Sequence, residues 1–222
     1  MISFISCNRI TNYKMESNDK TSNTNEGIVN YNDILNLPVE YMSAAYVFDM
    51  NDLSELIGYV DYVFIGKVVD YIRTDYEYPV DKNGNHYQID NPLPSTVYNI
   101  KVINNIKNEL CQDIELYKGG GLKKDLKSVV LYDETSLFEI NDINIFYGIV
   151  QPDGRIFTIG KDKYVNLDMT ESYDEDQITE INKKITHNEK YQAVLKALAN
   201  EKVYDRKRSI TDYDINLSEH IK

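Results

Sequence analysis

Histidines, cysteines and carboxylates are the side chains best suited to binding metal or attacking a substrate, and their spacing in this chain decides what is open to them. His86, His187 and His220 stand far apart, with no Cys, Asp or Glu at recurrent ligand spacing beside them, so zinc has no ligand set. Asp81-Lys82-Asn83-Gly84-Asn85 begins like a calcium loop, but His86 stands where that loop needs glycine and Pro92 where it needs glutamate. Asn83-Gly84 therefore reads as a tight turn. Lys118-Gly119-Gly120-Gly121-Leu122-Lys123-Lys124 offers backbone amides that could cradle an anion. It lacks the Gly-Lys-Ser/Thr end of a phosphate loop and reads as a solvated, mobile loop. Serines and threonines are plentiful, but no Gly-x-Ser-x-Gly or other nucleophile signature accompanies them. Cys111, after Leu110 at the approach to a short strand, reads as a small buried residue rather than an activated thiol. For acid–base chemistry the only sort of pair on offer is Asp70 with Glu115 or Glu139. No catalytic residue, metal ligand or cofactor is assigned.

Cys7 is a different matter. Phe4, Ile5 and Ser6 lead into it as apolar residues and a small residue lead into the cysteine of a bacterial lipoprotein signal, where the thiol becomes lipidated. Residues 8–32 are rich in Asn, Ser, Thr, Asp and Lys, a composition that cannot form a packed core and suits a tether behind an anchor. A full signal has a basic start and a longer apolar stretch, so the expectation is that Met1 is an internal residue of a longer precursor. If Met1 is the true start, the segment is instead a polar cytoplasmic N-terminus. A second suggestive surface lies at 70–94, where Tyr71, Tyr76, Tyr78 and Tyr87 are interleaved with Asp70, Asp75, Glu77, Asp81 and Asp90. Tyrosine has an apolar face and a polar tip, which suits contact with protein, peptide or sugar. The same residues could equally pack on the domain from a long connecting loop.

A chain of 222 residues can hold one sizeable core with extensions. Its 42% hydrophobic content and 19 tyrosines exclude a wholly disordered chain. Its formal charge of -12 argues against nucleic acid, because phosphate binding needs clustered Lys and Arg. Two cysteines in unlike surroundings give no disulfide framework. No apolar run approaches the roughly 20 residues that span a bilayer.

The elements that must position these residues are mostly strands. Leu53, Leu56, Ile57 and Val60 fall at helical spacing behind Asn51 or Asp52 as cap, predicting a short helix over 51–59. Residues 62–73 are almost continuously apolar and rich in β-branched and aromatic side chains, as in a strand covered on both faces, with Gly66 marking a bulge or bend. Residues 96–106 alternate, with Tyr98, Ile100 and Val102 facing the core and Asn99 and Lys101 facing solvent. Shorter strands follow at 113–118, 128–132, 143–150 and 155–160, the last two joined by a turn at Pro152-Asp153-Gly154. Successive short strands of this kind form a barrel or sandwich. Beyond Leu167 the period becomes helical. Ser172 and Glu175 fit a capping box, and Ile178, Ile181 and Ile185 form a stripe. Tyr191, Val194, Leu195 and Leu198 would lie on the opposite side of a continuous helix, which predicts two helices with a break near His187 and Asn188. Residues 203–222 are charged, lack a period and are expected to be loosely held.

Asp61-Tyr62-Val63-Phe64-Ile65-Gly66-Lys67-Val68-Val69, then Tyr98-Asn99-Ile100-Lys101-Val102 leading to Ile106-Lys107-Asn108, then Ile145-Phe146-Tyr147-Gly148-Ile149 and Asp153-Gly154-Arg155-Ile156-Phe157, resembles the order of segments in the tissue-inhibitor-of-metalloproteinases and netrin-like superfamily. The resemblance covers roughly residues 61–160 and is closest to uncharacterised secreted or lipid-anchored modules of Gram-positive bacteria. It implies an OB-like five- to six-stranded barrel. The inhibitory Cys-x-Cys of the animal proteins has no counterpart in this chain, so the fold is carried over and the inhibitory residues are not.

The expected organisation is a signal remnant at 1–7 with Cys7 as anchor and a flexible polar linker at 8–40. An OB-like barrel follows at 41–170, then a helical appendage at 171–202 and a charged tail at 203–222. The fold class is mostly β with α. The expected function is a non-enzymatic, extracytoplasmic binding module whose partner is a protein or another cell-surface component, touching membrane only through its lipid. Two alternatives stand beside it: a hydrolase with a carboxylate pair in a barrel cleft, and a cytoplasmic regulatory protein. Because no ligand set is complete, elemental analysis after gel filtration is expected to find neither zinc nor calcium at one atom per chain. A stoichiometric metal would overturn that expectation.

Overall fold

The structure is a computed structural model and describes residues 30–78, 89–90, 92–133, 135–159 and 183–216. It is mostly β, with one five-stranded and one three-stranded sheet and few helices. The long pair β2 (Tyr62–Glu77) and β3 (Leu93–Lys107) dominates. β4 (Asp113–Gly119), β7 (Ile143–Val150) and β8 (Ile156–Thr158) complete the larger sheet in the order β2-β3-β4-β8-β7. β7 also pairs with β2, Tyr62 to Gly148 through Lys67 to Ile143, so the order returns to its start as a ring. All neighbours in it are antiparallel except β4 and β8.

Both faces of the first part of β2, Tyr62–Val68, are hidden, as its nearly continuous apolar run predicts. Tyr62, Phe64 and Val68 turn inward beside Tyr98, Ile100, Leu116, Phe146 and Ile156, while Val63 and Ile65 turn outward beside Ile143, Ile145 and Tyr147. None of these is more than 3% exposed. The outward cluster is covered by α2 (Leu53–Tyr59) through Leu56 and Ile57, and by α3 (Glu189–Leu198) through Val194 and Ala197. Asp52 caps α2, its carboxylate accepting from the Ser54 and Glu55 amides. The predicted break before α3 is present: a helical turn at 183–186 ends at His187, and Asn188 caps α3 by accepting from the Lys190 and Tyr191 amides. Ser172, Glu175, Ile178 and Ile181 lie outside the described residues.

Four register shifts between β2 and β3 leave Ile103 and Ile106 of β3, and Val69 and Ile72 of β2, without a partner across the pair. Bulges of this kind bend a strand and sharpen its twist, which a five-stranded ring requires. They also explain two exposed apolar residues on β2: Val69 and Ile72 are the extra residues of their bulges.

Two expectations are corrected at the ends of the chain. Residues 30–40, read as linker, carry α1 (Tyr31–Leu35) and the start of β1 (Val39–Met42). β1 pairs in parallel with β6 (Val129–Tyr132), which in turn pairs with β5 (Gly121–Leu122). Tyr31 anchors α1 over one end of the ring, its hydroxyl donating to the Phe138 carbonyl at 2.6 Å and lying 2.8 Å from that of Tyr98. Composition hid this because two buried residues, Tyr31 and Ile34, suffice to seat so short a helix.

At the other terminus residues 203–216 are not loosely held. Arg206 and Arg208 donate to one oxygen of buried Asp61 at 2.6 and 2.8 Å, and to the carbonyls of Tyr59, Gly58 and Val60 at the end of α2. The second Asp61 oxygen accepts from the Val150 amide at 2.8 Å. Tyr62 donates to Asp214, while the Cys111 amide donates to Tyr213 and the Ile215 amide to Glu109. The charges that suggest a solvated tail are thus its means of attachment. Removing Asp61 would strand two guanidiniums, so Asp61→Ala is expected to cost about 3–5 kcal/mol in urea unfolding. A loss under about 1 kcal/mol would show that the pairing is incidental.

Candidate binding surface

Outside the ring, on the strands that α2 and α3 leave uncovered, an aromatic pair lies under arginine side chains. Tyr117 of β4 and Phe157 of β8 are register partners across the parallel ladder, and their rings stack at 5.1 Å with an interplanar angle of 29°. Parallel pairing sets equivalent residues side by side on one face, so two aromatics at outward positions must meet. The Arg155 guanidinium lies 5.2 Å from the Tyr117 ring centre and 5.3 Å from that of Phe157, and Arg73 lies 5.9 Å from Tyr117. Arg73 also donates to the Tyr117 hydroxyl at 2.9 Å, to Asp75 at 2.9 Å and to Glu115 at 3.3 Å. Arg155 donates to Asp153 at 2.6 Å and to Glu77 at 3.2 Å. Planar cations over aromatic faces, their edges bonded to carboxylates, form a rigid surface that can meet a partner with apolar area and fixed polar groups.

The turn before β8 supplies Arg155. The Gly154 amide donates to Gln151, and Gly154 has φ +86, a left-handed conformation for which the Pro152-Asp153-Gly154 sequence is suited. Burial pushes the Tyr117 hydroxyl above its ordinary range; Arg73 opposes this, and Asp75 and Glu115 reinforce it.

The residues singled out from sequence fall differently. Tyr71 stacks on Tyr31 at 4.7 Å and packs against the inner core, so it serves the fold. Tyr76 is half-buried on the β2 arm, and Tyr78 accepts from Lys124 at 2.8 Å with that ammonium 5.4 Å from its ring centre. Cys7, Tyr87, His86, His220 and the Asn83-Gly84 turn lie outside the described residues. Arg73, Tyr117, Arg155 and Phe157 were not singled out. Their signal was faint: outward positions on two short strands that only the β4–β8 register unites.

The glycine stretch is neither a mobile loop nor an open cradle. Gly119 ends β4, Gly121 starts β5, and Lys118 is buried. Gly120 has φ +94, and a Cβ there would sit 2.5 Å from the Val130 carbonyl oxygen; one on Gly121 would sit 2.4 Å from Thr96 Oγ1. The glycines let the chain pass from one sheet to the other in close contact with both.

Register places Asp70, Asn99 and Glu115 in one row across β2, β3 and β4, so the two carboxylates are two strand spacings apart, about 10 Å. Glu115 is taken up by Arg73 and Asp70 is exposed. Glu139 lies in the turn before β7, where burial and then the Glu139 charge raise the carboxyl of Asp142. Cys111 is 1% exposed, its sulfur 3.6 Å from the Asp113 carbonyl. Among the described residues no three His, Cys, Asp or Glu side chains gather to hold a metal, and no helix is long and apolar enough to cross a membrane. Protein-family models and curated proteins give no match to this chain.

Tyrosines give the fold a pH limit. Burial holds Tyr31, Tyr62 and Tyr147 well above their ordinary value of 10.0. Tyr46 is pushed up to about 12 by burial and by Asp133, which accepts its hydroxyl. The unfolded chain loses these protons near pH 10 while the folded chain keeps them, so stability is full below pH 10 and falls as pH rises beyond it. Circular dichroism and phenolate absorbance during alkaline titration should show cooperative unfolding setting in above pH 10, with a shallower fall for Tyr31→Phe measured against its own neutral stability. Ionisation of all 19 tyrosines near pH 10 in a chain that stays folded would contradict this assignment.

Proposed function

We propose that this chain is a non-enzymatic binding module on an OB-like barrel, held outside the cell by lipid on Cys7, and that it engages a protein or another cell-surface component. The OB-like reading is supported by topology. Counting only the ring strands, the order is first, second, third, fifth, fourth and back to first, with the single parallel pair between third and fifth. Such barrels engage ligands with the face of strands two and three and the loops flanking it. The segments that resemble the netrin-like superfamily fall on the first, second, fourth and fifth ring strands.

The observation that carries the reading is the position of the Arg73, Tyr117, Arg155 and Phe157 cluster. It stands on the third and fifth ring strands, the end of the first and the turn between fourth and fifth, beside the arm that holds Tyr76 and Tyr78. With an overall charge of -12 the partner is not a nucleic acid. Lipid on Cys7 would bring this face to envelope components, since the two or three chains of a mature bacterial lipoprotein anchor stably where one does not.

Two measurements test this. Full-length precursor, expressed with its native upstream sequence, should partition with membranes and carry added mass on Cys7, and Cys7→Ser should release it. Equal soluble recovery of both forms without added mass would remove the anchor from the account. Separately, envelope material retained by the wild-type chain should be retained about tenfold less by the Arg73→Ala/Arg155→Ala double variant, the loss expected for central arginines of an interface. Equal retention would place the binding surface elsewhere.

A further inference from the structure

Asn144 poses a problem that the binding surface does not touch. It is 1% exposed, and among the described residues it is the one buried amide side chain with neither oxygen nor nitrogen bonded. On β7, Ile143, Ile145 and Tyr147 belong to the helix-covered cluster, whereas Phe146 and Val150 belong to the ring interior. Alternation therefore turns Asn144 inward with Phe146.

The register partner of Asn144 on β2 is Gly66, which has no side chain to offer. The space beside Gly66 is filled: a Cβ there would lie 2.5 Å from Ile100 Cγ2 and 3.3 Å from the Phe146 ring. Phe64, Val68, Ile100 and Ile114 line the same interior, all without polar side-chain atoms. A buried amide with its whole hydrogen-bonding capacity unused is far less favourable than a leucine of similar size, and native folds satisfy such groups. On the far side of Gly66 the register passes from Ile65–Asn104 to Gly66–Val102 and skips Ile103. A bulge interrupts the ladder locally and frees backbone groups.

We propose that the ring interior is a binding site for an internal water molecule, held by Asn144 Oδ1 and Nδ2. Water is the ligand whose size and donor–acceptor balance fit one amide among packed side chains, and buried waters with about three bonds are ordinary components of folded domains. The water also makes the polarity of Asn144 useful. A one-residue slip of β7 against β2 would carry the amide away from its ligand to the helix-covered face, so the pair favours one register.

The test uses the full chain. A crystal structure at high resolution should show an ordered water within hydrogen-bonding distance of both Asn144 side-chain atoms. Oxygen-17 relaxation dispersion should count one fewer long-lived water in Asn144→Leu than in wild type. A dry interior, an Asn144 amide bonded directly to protein groups, or an unchanged count in a folded Asn144→Leu would each overturn the proposal. Should that variant not fold, the wild-type crystal structure decides the matter alone.

Discussion

β2 has to hide two apolar faces at once, and no single layer can do that. Tyr62, Phe64 and Val68 require an interior, while Val63 and Ile65 require a cover on the opposite side. Pairing with β3 along one edge and β7 along the other curls the sheet until the inward residues meet across the ring. The outward residues are left for α2 and α3. The bulges belong to the same constraint, since they supply curvature where β2 and β3 would otherwise run straight.

The ends of the described chain stop the ends of that ring. α1 seats Tyr31 against Tyr98, Tyr71 and Phe138 at one end. At the other, Tyr213 and Ile215 pack against the inner core beside the Tyr62–Asp214 hydrogen bond. Asp61, between α2 and β2, gathers Arg206, Arg208 and the Val150 amide at one carboxylate. A buried charge with this many partners is satisfied, and it joins helix, strand and C-terminal segment.

Local pattern revealed the elements and failed at their connections. The run from Tyr62, the alternation around Ile100 and the cap at Asp52 are written in adjacent residues, and the strands and helix they predict are present with ends displaced by a few positions. α1 escaped because it is only five residues long, follows directly on a polar segment and is seated by two buried residues. The C-terminal segment escaped because Arg206 and Arg208 acquire meaning only from Asp61, some 145 positions away in the chain. The glycine stretch misled for a related reason: Gly120 and Gly121 are needed where two sheets approach each other, and composition cannot distinguish that from a flexible loop. The arginine-covered surface was the least legible. Tyr117 and Phe157 sit on separate short strands, and their parallel pairing depends on ring topology that no local period encodes.

Since the inner core, the helix layer and the outward aromatic surface all follow from double burial of β2, its backbone should be the slowest part of the molecule to open. Residue-resolved hydrogen exchange under native conditions measures this directly. Amides from Val63 to Val68 should exchange among the slowest, at the rate set by global unfolding, and well behind those of α1 and the segment 203–216. Exchange in β2 as fast as in those terminal segments would contradict an architecture organised around that strand.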